Sequence, residues 1–512
     1  MLYSIENETD IERLRRVALL QEAEIRHLLH RISRLSAELA KHGMNQGQLE
    51  IELKLLQEQL DRRTQALFGR SSEKRPHEPE TKEPKEKQPQ TGHGPREQLA
   101  LPVVEVIHDL DEPDRICGVC GGVLGELPEQ FEESEEIDVI ERSYRLVRHK
   151  RKKYVCRCGA CVETALGPDK LIPGGRYSVD FALDVAVSKY ADHMPLTRQV
   201  RIMRRQGLTV DSQTLWDQIE ALACHLEPTR RALRDHILGQ PVIGADETTW
   251  RLLDHRKSKS WWAWSITSPD AVVYHILDSR SQDAAKEVIG DYAGVVLADG
   301  YSAYEALRKS RAGPTFTQAH CWAHVRRKFF ECLPHAPEAQ EALDLIGKLY
   351  DVEREVNETC RDAEEPVRRA ALQRARDERS RPIIKAFDEW CAAQRPLPKS
   401  GLGRAIAYYA ELHSGLVRFL DHPDIPLDNN RTERGLRAVV VGRKNHYGSK
   451  SKRGTEVAAL FYSLIESARL AGVEPKTYLK EAALRAIRNP GTATLPKDLL
   501  SKADAEAEDS SC

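Results

Sequence analysis

The N-terminal region carries a seven-residue hydrophobic repeat. Over residues 25–67, ten of the thirteen a and d positions are Leu or Ile, and the polar residues Gln46 and His42 fall together near the middle. Such a repeat is typical of coiled coils, in which the a and d side chains form the seam between helices. We therefore predict a coiled coil over residues 9–70 that pairs copies of the chain. The alternative is a helix that packs against the chain's own body.

Two polar segments lie outside the periodic regions. Residues 71–100 are rich in Pro, Glu, Lys and Gln, and residues 71–96 contain no large apolar side chain. Because such a segment cannot bury enough apolar surface to offset the entropy of ordering, we expect a disordered linker there. The C-terminal residues 491–512 are likewise expected to form a flexible tail.

Residues 177–238 have a helical pattern interrupted by turn signals. Pro195 is expected to open a second helix, Gly207 to end it, and Asp211 to cap a third. Helix, glycine-containing turn and helix is the helix-turn-helix layout, although a plain helical bundle fits the same pattern. The arginines available for phosphate contacts are Arg198, Arg201, Arg204 and Arg205.

Short apolar runs in residues 240–332 predict five strands and a crossover helix. The strands are expected at 242–253, 260–267, 271–277, 295–298 and 315–319, and the helix at 282–292. Three antiparallel strands followed by parallel ones are the strand order of ribonuclease-H-like folds. Residues 333–426 have helical patterning only, which predicts an α-helical insertion before residues 427–490 return to the core.

Composition sets broad limits on the protein. The 512 residues include 40% hydrophobic residues and have a net charge of −2, which suits roughly three or four globular domains. No apolar run reaches the length of a membrane-spanning helix, and the N-terminus lacks a signal-peptide pattern. We expect a cytoplasmic protein without a membrane partner.

Five of the eleven cysteines are clustered between residues 117 and 161. Cys117 and Cys120 form one paired knuckle, Cys158 and Cys161 form a second, and Cys156 is an alternative ligand. Paired thiolates on two turns bind a tetrahedral structural Zn²⁺ ion. The sequence therefore predicts a zinc-binding domain over residues 101–174 with one Zn²⁺ ion.

Three acidic residues have settings that suit catalysis. Asp246 and Asp299 each follow an apolar run at a predicted strand end, and Glu433 lies in a basic, helix-like stretch. Carboxylate oxygens bind Mg²⁺, and two such ions about 3.5–4 Å apart support phosphoryl transfer. Glu247 competes with Asp246 but is expected to face the other side of its strand. The alternative is that the aspartates are turn residues and that Glu433 belongs to a solvated helix.

Cys321 and His324 are one helical turn apart. No second pair of ligands lies nearby in the sequence, so we do not expect a zinc site there, and buried core positions are the alternative. Basic residues follow this pair and surround Glu433, where they are expected to attract DNA phosphates. These predicted DNA-binding residues are Arg326, Arg327, Lys328, Arg434, Arg437, Arg443 and Lys444.

Together, these features resemble the insertion-sequence-66 family of bacterial transposases. The matching segments are the end of the heptad at 67–74, the cysteine domain, and residues 244–248, 298–301, 321–324, 428–437 and 442–479. The resemblance implies a multidomain α/β protein with a ribonuclease-H-like DDE core. It implies that Asp246, Asp299 and Glu433 bind two catalytic Mg²⁺ ions, with Cys321 and His324 in support.

The resemblance also implies a function. Terminal inverted repeats would be bound and cut by water, and the freed 3′-OH would then attack target DNA. The coiled coil would pair protomers, accessory proteins of the same element are further candidate partners, and the DNA-bound protein would sit on the nucleoid. The alternatives are a non-catalytic DNA-binding regulator derived from a transposase and a structure-specific nuclease on the same fold.

Overall fold

The computed structural model describes residues 143–155, 162–253, 260–397 and 399–500. Of the N-terminal region it describes residues 30–31, 33–34, 51, 54–61 and 105. The predicted linker at 71–100, residues 501–512 of the predicted tail and all five clustered cysteines lie outside the described residues. Residues 491–500 of that tail are described: Thr494 is buried, and its carbonyl accepts a hydrogen bond from the Tyr478 hydroxyl at 2.9 Å, so this part packs against the helix Pro475–Arg488 and is not the flexible segment that we expected. The elements below belong to one unit formed by Met1–Arg63 and Ser143–Cys512.

The described part of the chain contains seven strands and a series of helices. The strands are β1 (Lys153–Val155), β2 (Val162–Thr164), β3 (Val242–Arg251), β4 (Ser260–Thr267), β5 (Val272–Leu277), β6 (Val295–Ala298) and β7 (Thr317–His320). The first helices are α1 (Val179–Tyr190), α2 (Leu196–Arg205), α3 (Ser212–Leu238), α4 (Gln282–Ile289), α5 (Ser302–Ser310) and α6 (Trp322–Cys332). The later helices are α7 (Ala339–Thr359), α8 (Glu365–Ala375), α9 (Arg381–Ala393), α10 (Gly401–Leu416), α11 (Asn430–His446), α12 (Lys452–Leu470) and α13 (Pro475–Arg488).

A five-stranded mixed sheet has the order β5-β4-β3-β6-β7. Strands β3, β4 and β5 are antiparallel neighbours, whereas β6 is parallel to β3 and β7 is parallel to β6. The sequence predicted these strands and their directions, with bounds that agree or differ by at most two residues. Helix α4 ends at Ile289, before the predicted residue 292, because Gly290 adopts a φ of +60° that stops the helix.

Helix α12 packs along β5, which is an edge strand of the sheet. The Ser463 hydroxyl oxygen accepts a hydrogen bond from the backbone N–H of Tyr274 at 2.9 Å, and Ser467 accepts one from Val272 at 3.0 Å. Both serines are fully buried. An edge strand otherwise presents unpaired backbone donors. The two hydroxyls satisfy these donors, so the helix takes the place of a further strand.

Helices α1, α3, α12 and α13 pack into one hydrophobic core with the sheet. The predicted turns of the first helical segment are present: Gly207 has a φ of +82° after α2, and the Asp211 carboxylate caps α3 through the backbone N–H of Thr214 at 2.7 Å. These helices share their core with the C-terminal helices. This packing differs from the separate DNA-binding domain that the sequence predicted over residues 177–238.

A second hydrophobic core joins the helices that the sequence predicted as an insertion. Its aromatic centre includes Trp322, Phe329 and Phe387, and it reaches the sheet through Leu297 and Ala319. Helix α10 of this core therefore lies close to β6 and β7. The insertion is thus built onto the same end of the sheet that carries Asp299.

Residues 54–61 form a helical segment that contacts the insertion. Leu56, a d position of the heptad, is 6% exposed, and the Glu58 carboxylate accepts the backbone N–H of Gly401 at 2.9 Å. In these residues the heptad helix packs against the chain's own body, which was the alternative to the coiled coil. Pairing of copies stays a prediction. Within the described residues, no helix is long and apolar enough to cross a bilayer.

Candidate active site

A row of three residues crosses three parallel strands. In the register of the sheet, Gly244 pairs with Leu297 and Ala298 pairs with His320. Extending this register by one or two residues brings Asp246, Asp299 and Cys321 to the same level on neighbouring strands. The carboxyl ends of parallel strands are the usual place for functional groups in α/β sheets.

Asp246 lies within β3, as the strand predicted at 242–253 implies, and not at a strand end, which corrects the expectation that the backbone leaves the sheet at this residue. The strand continues for five residues to Arg251 because its pairing with β4 persists as far as the Arg251 and Ser260 pair. Asp299, in contrast, directly follows the end of β6. The predicted position at a strand exit is therefore correct for Asp299 only.

Helix α11 brings Glu433 to the same face of the sheet, and Asn429 fixes where the helix begins. The buried Asn429 side chain donates to the Ala245 carbonyl at 2.9 Å and accepts from the Thr432 hydroxyl at 2.6 Å. Its backbone N–H donates to Cys321 Sγ at 3.2 Å. Asn429 therefore ties the first turn of α11 both to β3 and to the start of α6.

Gly244 permits this close approach of the helix to the strand. A Cβ at this position would lie 2.6 Å from Thr267 Oγ1 and 2.7 Å from Asn429 Oδ1, and it would collide with the Thr432 hydroxyl. A glycine inside a strand often marks such an approach. Gly244, Asn429 and Thr432 were not among the site residues predicted from the sequence. The glycine within an apolar β-rich run was the available signal.

The carboxylates of the site repel one another. Burial, together with Glu247, Asp299 and Glu433, raises the pKa of Asp246 to about 8, against a hydrogen bond from the backbone N–H of Glu247. Desolvation and like charges both disfavour the ionised form of a carboxyl group. A cation among these oxygens would reverse both effects. The charge distribution therefore suits a divalent metal ion.

Asp299 is held from two directions. Its carboxylate accepts the backbone N–H of Tyr301 at 2.9 Å, and its carbonyl accepts the Tyr408 hydroxyl of α10 at 2.8 Å. Gly300 between them has a φ of +85°, a conformation that favours glycine. The strand exit and the insertion together orient this carboxylate.

Glu247 belongs to a different environment from its neighbour Asp246, as predicted. Its fully buried carboxylate forms an ion pair with Arg280 at 2.5 Å and accepts the Tyr304 hydroxyl at 3.0 Å. Burial raises the pKa of Glu247, and Arg280 and Tyr304 oppose that shift. Because this carboxylate already has a cationic partner, it does not need a metal ion.

Cys321 and His324 adjoin Glu433. Cys321 is 1% exposed at the N-cap of α6, and burial raises the pKa of its thiol to about 12. His324 Nε2 lies 3.7 Å from Glu433 Oε1. The sulfur, a ring nitrogen and a carboxylate oxygen of these three residues all lie within 4.8 Å of one another. The cysteine and histidine therefore belong to the same site as the predicted catalytic glutamate.

The predicted DNA-binding residues divide into exposed and buried ones. On α11 the side chains of Arg434, Arg437 and Lys444 are exposed, and on α6 those of Arg327 and Lys328 are exposed, whereas Arg326 is half-buried. Arg443 is only 9% exposed, and its guanidinium donates to the Thr249 carbonyl and, at 2.6 Å, to the Thr249 hydroxyl. Its position fits a tie between α11 and β3 and differs from the exposed contact that we predicted.

Comparison with protein families identifies the chain. The model of the "Transposase IS66 family" matches residues 174–457, which is more than half of the chain. The chain belongs to the IS66 family of transposases. The model of the "zinc-finger binding domain of transposase IS66" matches residues 114–159. This IS66-family protein is therefore a mixed α/β protein with a zinc-finger domain, whose individual ligands remain a prediction.

Three relatives of this IS66-family protein come from Sinorhizobium fredii. Uncharacterized protein y4jD is 32% identical over 381 residues, which are 71% of this chain and 73% of the relative. Uncharacterized protein y4hP is 27% identical over 380 residues, which are 69% and 67% of the two chains. Uncharacterized protein y4qI is 31% identical over 367 residues, which are 68% and 66%. Their names state no function.

Proposed function

We propose that this transposase is a DDE enzyme with a ribonuclease-H-like core, in which Asp246, Asp299 and Glu433 bind Mg²⁺. One observation carries the proposal: the strand register puts Asp246 level with Asp299, and α11 brings Glu433 to the same face of the sheet. The strand order β5-β4-β3-β6-β7 and the helical insertion between Asp299 and Glu433 fit this type of fold.

The donor set fits magnesium. The three side chains offer carboxylate oxygens, the ligand type that Mg²⁺ prefers. Glu433 Oε1 is buried and has no hydrogen-bond partner among the described residues. When bound, Mg²⁺ ions activate the attacking oxygen and stabilise the leaving oxygen of a phosphodiester. Asp246 must lose its proton to take part, and Asn429 holds Glu433 in reach of the sheet.

The surrounding charges suit a DNA substrate. Exposed basic side chains of α11 and α6 lie on the helices that carry Glu433 and His324, and such charges attract the phosphate backbone. Helix α2 presents four exposed arginines, which are Arg198, Arg201, Arg204 and Arg205.

In the proposed reaction, water cleaves at the transposon end, and the freed 3′-OH then attacks target DNA. We propose that the zinc-finger domain and α2–α3 recognise the terminal repeats, and that self-association brings two ends together.

The test is a joining assay with the purified full chain. A labelled duplex of the element's terminal repeat and a target plasmid are incubated with Mg²⁺ or with EDTA. We expect joined products with Mg²⁺ only. Asp246→Asn, Asp299→Asn and Glu433→Gln should each reduce joining by about 100-fold or more while DNA binding is retained. Asp291→Asn, which changes an exposed carboxylate outside the site, is the matched control and should join normally.

Other outcomes would select the alternatives. Cleavage without joining indicates a structure-specific nuclease. Specific binding with neither cleavage nor joining indicates a regulator or a need for accessory proteins, and addition of the neighbouring gene products separates those two. A variant that still joins at the wild-type rate removes its residue from the proposed triad.

A further inference from the structure

Three side chains of metal-ligating type meet where α6 and α11 begin. Cys321 Sγ, a ring nitrogen of His324 and a carboxylate oxygen of Glu433 lie within 4.8 Å of one another, and the His324 and Glu433 atoms are 3.7 Å apart. Ligands that share one tetrahedral Zn²⁺ ion at bond lengths of about 2.0–2.3 Å lie roughly 3.3–3.8 Å from one another. Small side-chain movements would therefore bring all three ligands to bonding distance.

The present contacts leave part of this cluster unsatisfied. The 3.7 Å separation between His324 Nε2 and Glu433 Oε1 is too long for a hydrogen bond. Glu433 Oε1 is buried and has no hydrogen-bond partner among the described residues. Leaving a buried polar atom without a partner costs free energy. A bound cation would supply the missing interaction.

Cys321 is placed to bind a metal ion, although burial keeps its free thiol protonated, so a bound cation would have to displace that proton. Cys321 stands at the N-terminus of α6, where the helix dipole favours negative charge, and it accepts the backbone N–H of Asn429 at 3.2 Å. Hydrogen bonds of this kind orient metal ligands. Cys321 and His324 come from the first turn of one helix and Glu433 from the first turn of another. Three protein ligands leave one coordination position open.

We propose that Cys321, His324 and Glu433 form a Zn²⁺ site distinct from the zinc-finger domain. No zinc site was predicted here from the sequence, because Glu433 lies far along the chain from Cys321 and His324 and only the fold brings it close. The site rests on this geometry and does not depend on DDE chemistry. Because Glu433 is shared with the proposed magnesium site, Zn²⁺ bound here would withdraw one carboxylate from Mg²⁺.

The first test counts bound zinc. The full chain and its variants are dialysed to equilibrium against buffered Zn²⁺, and metal content is measured by atomic absorption. We expect the wild type to bind about one Zn²⁺ ion more per chain than Cys321→Ser or His324→Asn. Cys360→Ser changes a half-buried cysteine outside the cluster and is the matched control. It should bind as much zinc as the wild type.

The second test identifies the ligand atoms with Co²⁺ as the probe. Replacement of Zn²⁺ by Co²⁺ should give a thiolate-to-metal absorption band, and the difference spectrum between wild type and Cys321→Ser isolates the contribution of this sulfur. The zinc-finger cysteines contribute equally to both proteins and cancel. A difference spectrum without a thiolate band would overturn the assignment of Cys321.

The controls keep the tests decisive. If circular dichroism shows that Cys321→Ser is unfolded, His324→Asn decides, because it leaves the Asn429 hydrogen bond to the sulfur intact. A folded His324→Asn protein with the wild-type zinc content would overturn the site. Failure of DNA joining in the wild type would count against the proposed function and leave the zinc count unaffected.

Discussion

The hydroxyl of Thr432 on α11 occupies the space that a Cβ at Gly244 of β3 would need. The same hydroxyl lies 2.7 Å from the Thr267 hydroxyl and donates to Asn429. Strand β3, helix α11 and the residue before that helix, Asn429, therefore approach so closely at Gly244 that no side chain larger than a hydrogen atom fits there. The position of Glu433, one residue beyond Thr432, depends on this contact.

We predict that Gly244→Ala will displace the start of α11. Overpacking of this kind costs about 1–3 kcal/mol, and an error of about 1 Å in a catalytic group can reduce a rate by roughly 100-fold. Urea unfolding and the joining assay measure the two effects. Gly347→Ala in α7 is the matched control, because a Cβ there would meet nothing within 4 Å. It should be more stable by about 0.5–1 kcal/mol and join normally.

A second prediction concerns pH. The folded pKa of Asp246, raised to about 8, lies above its unfolded value, so the wild type loses stability as pH rises from about 4 through 8. The Asp246→Asn variant has no carboxyl group to ionise at this position, so it does not undergo this loss of stability. Without metal, we expect the variant to be more stable than the wild type by about 1–3 kcal/mol at pH 9 and similar at pH 4. Mg²⁺ should stabilise the wild type and reduce the difference.

Replacing the neighbouring carboxylate, that of Glu247, should lower the stability of the protein, whereas replacing Asp246 should raise it. Glu247→Gln removes the negative charge that pairs with Arg280 and replaces one of the two carboxylate oxygens that accept from Arg280 and Tyr304 with an N–H donor. Breaking such a pair typically costs about 3–5 kcal/mol. We therefore expect Glu247→Gln to destabilise the protein and Asp246→Asn to stabilise it, both measured by thermal unfolding at pH 9 in EDTA. Equal effects would show that the two carboxylates share one environment.

Two arginines of α11 should separate stability from DNA binding. Arg443→Ala removes the buried tie to Thr249 and should cost about 1–3 kcal/mol of unfolding free energy. Arg437→Ala changes an exposed side chain, so stability should stay within about 0.5 kcal/mol. If Arg437 contacts a phosphate, its loss should lower DNA affinity and reduce the salt dependence by about one charge. Affinity measured at several salt concentrations tests this.

The docked N-terminal segment gives a further prediction. Glu58→Ala removes the carboxylate that accepts the first backbone N–H of α10, an interaction of about 1 kcal/mol at a helix N-terminus. We expect faster hydrogen exchange at the Gly401 amide. Gln57→Ala, at an exposed neighbouring position, is the control and should leave that exchange unchanged. Unchanged exchange in Glu58→Ala would show that the contact does not protect α10.

Local pattern was sufficient for much of the fold. The alternation and length of apolar runs predicted β4 and β6 with their observed bounds, and Asp211 and Gly207 marked the ends of helices correctly. These features depend on neighbouring residues, whose spacing is visible in the chain itself. The expectation that Asp246 lies at a strand exit was wrong, whereas the strand predicted at 242–253 was nearly correct, because pairing with β4 continues from Asp246 to Arg251.

The sequence by itself determined the elements, the knuckle spacing of the cysteines and the identity of the candidate carboxylates, because those properties are set by residue type and short-range periodicity. Only the tertiary structure decided that Asp246, Asp299 and Cys321 share one row, that Arg443 is buried, and that Glu433 joins Cys321 and His324. Those relationships arise from strand register and from the packing of α11 over Gly244. Both depend on contacts between residues far apart in the chain, which no local pattern records.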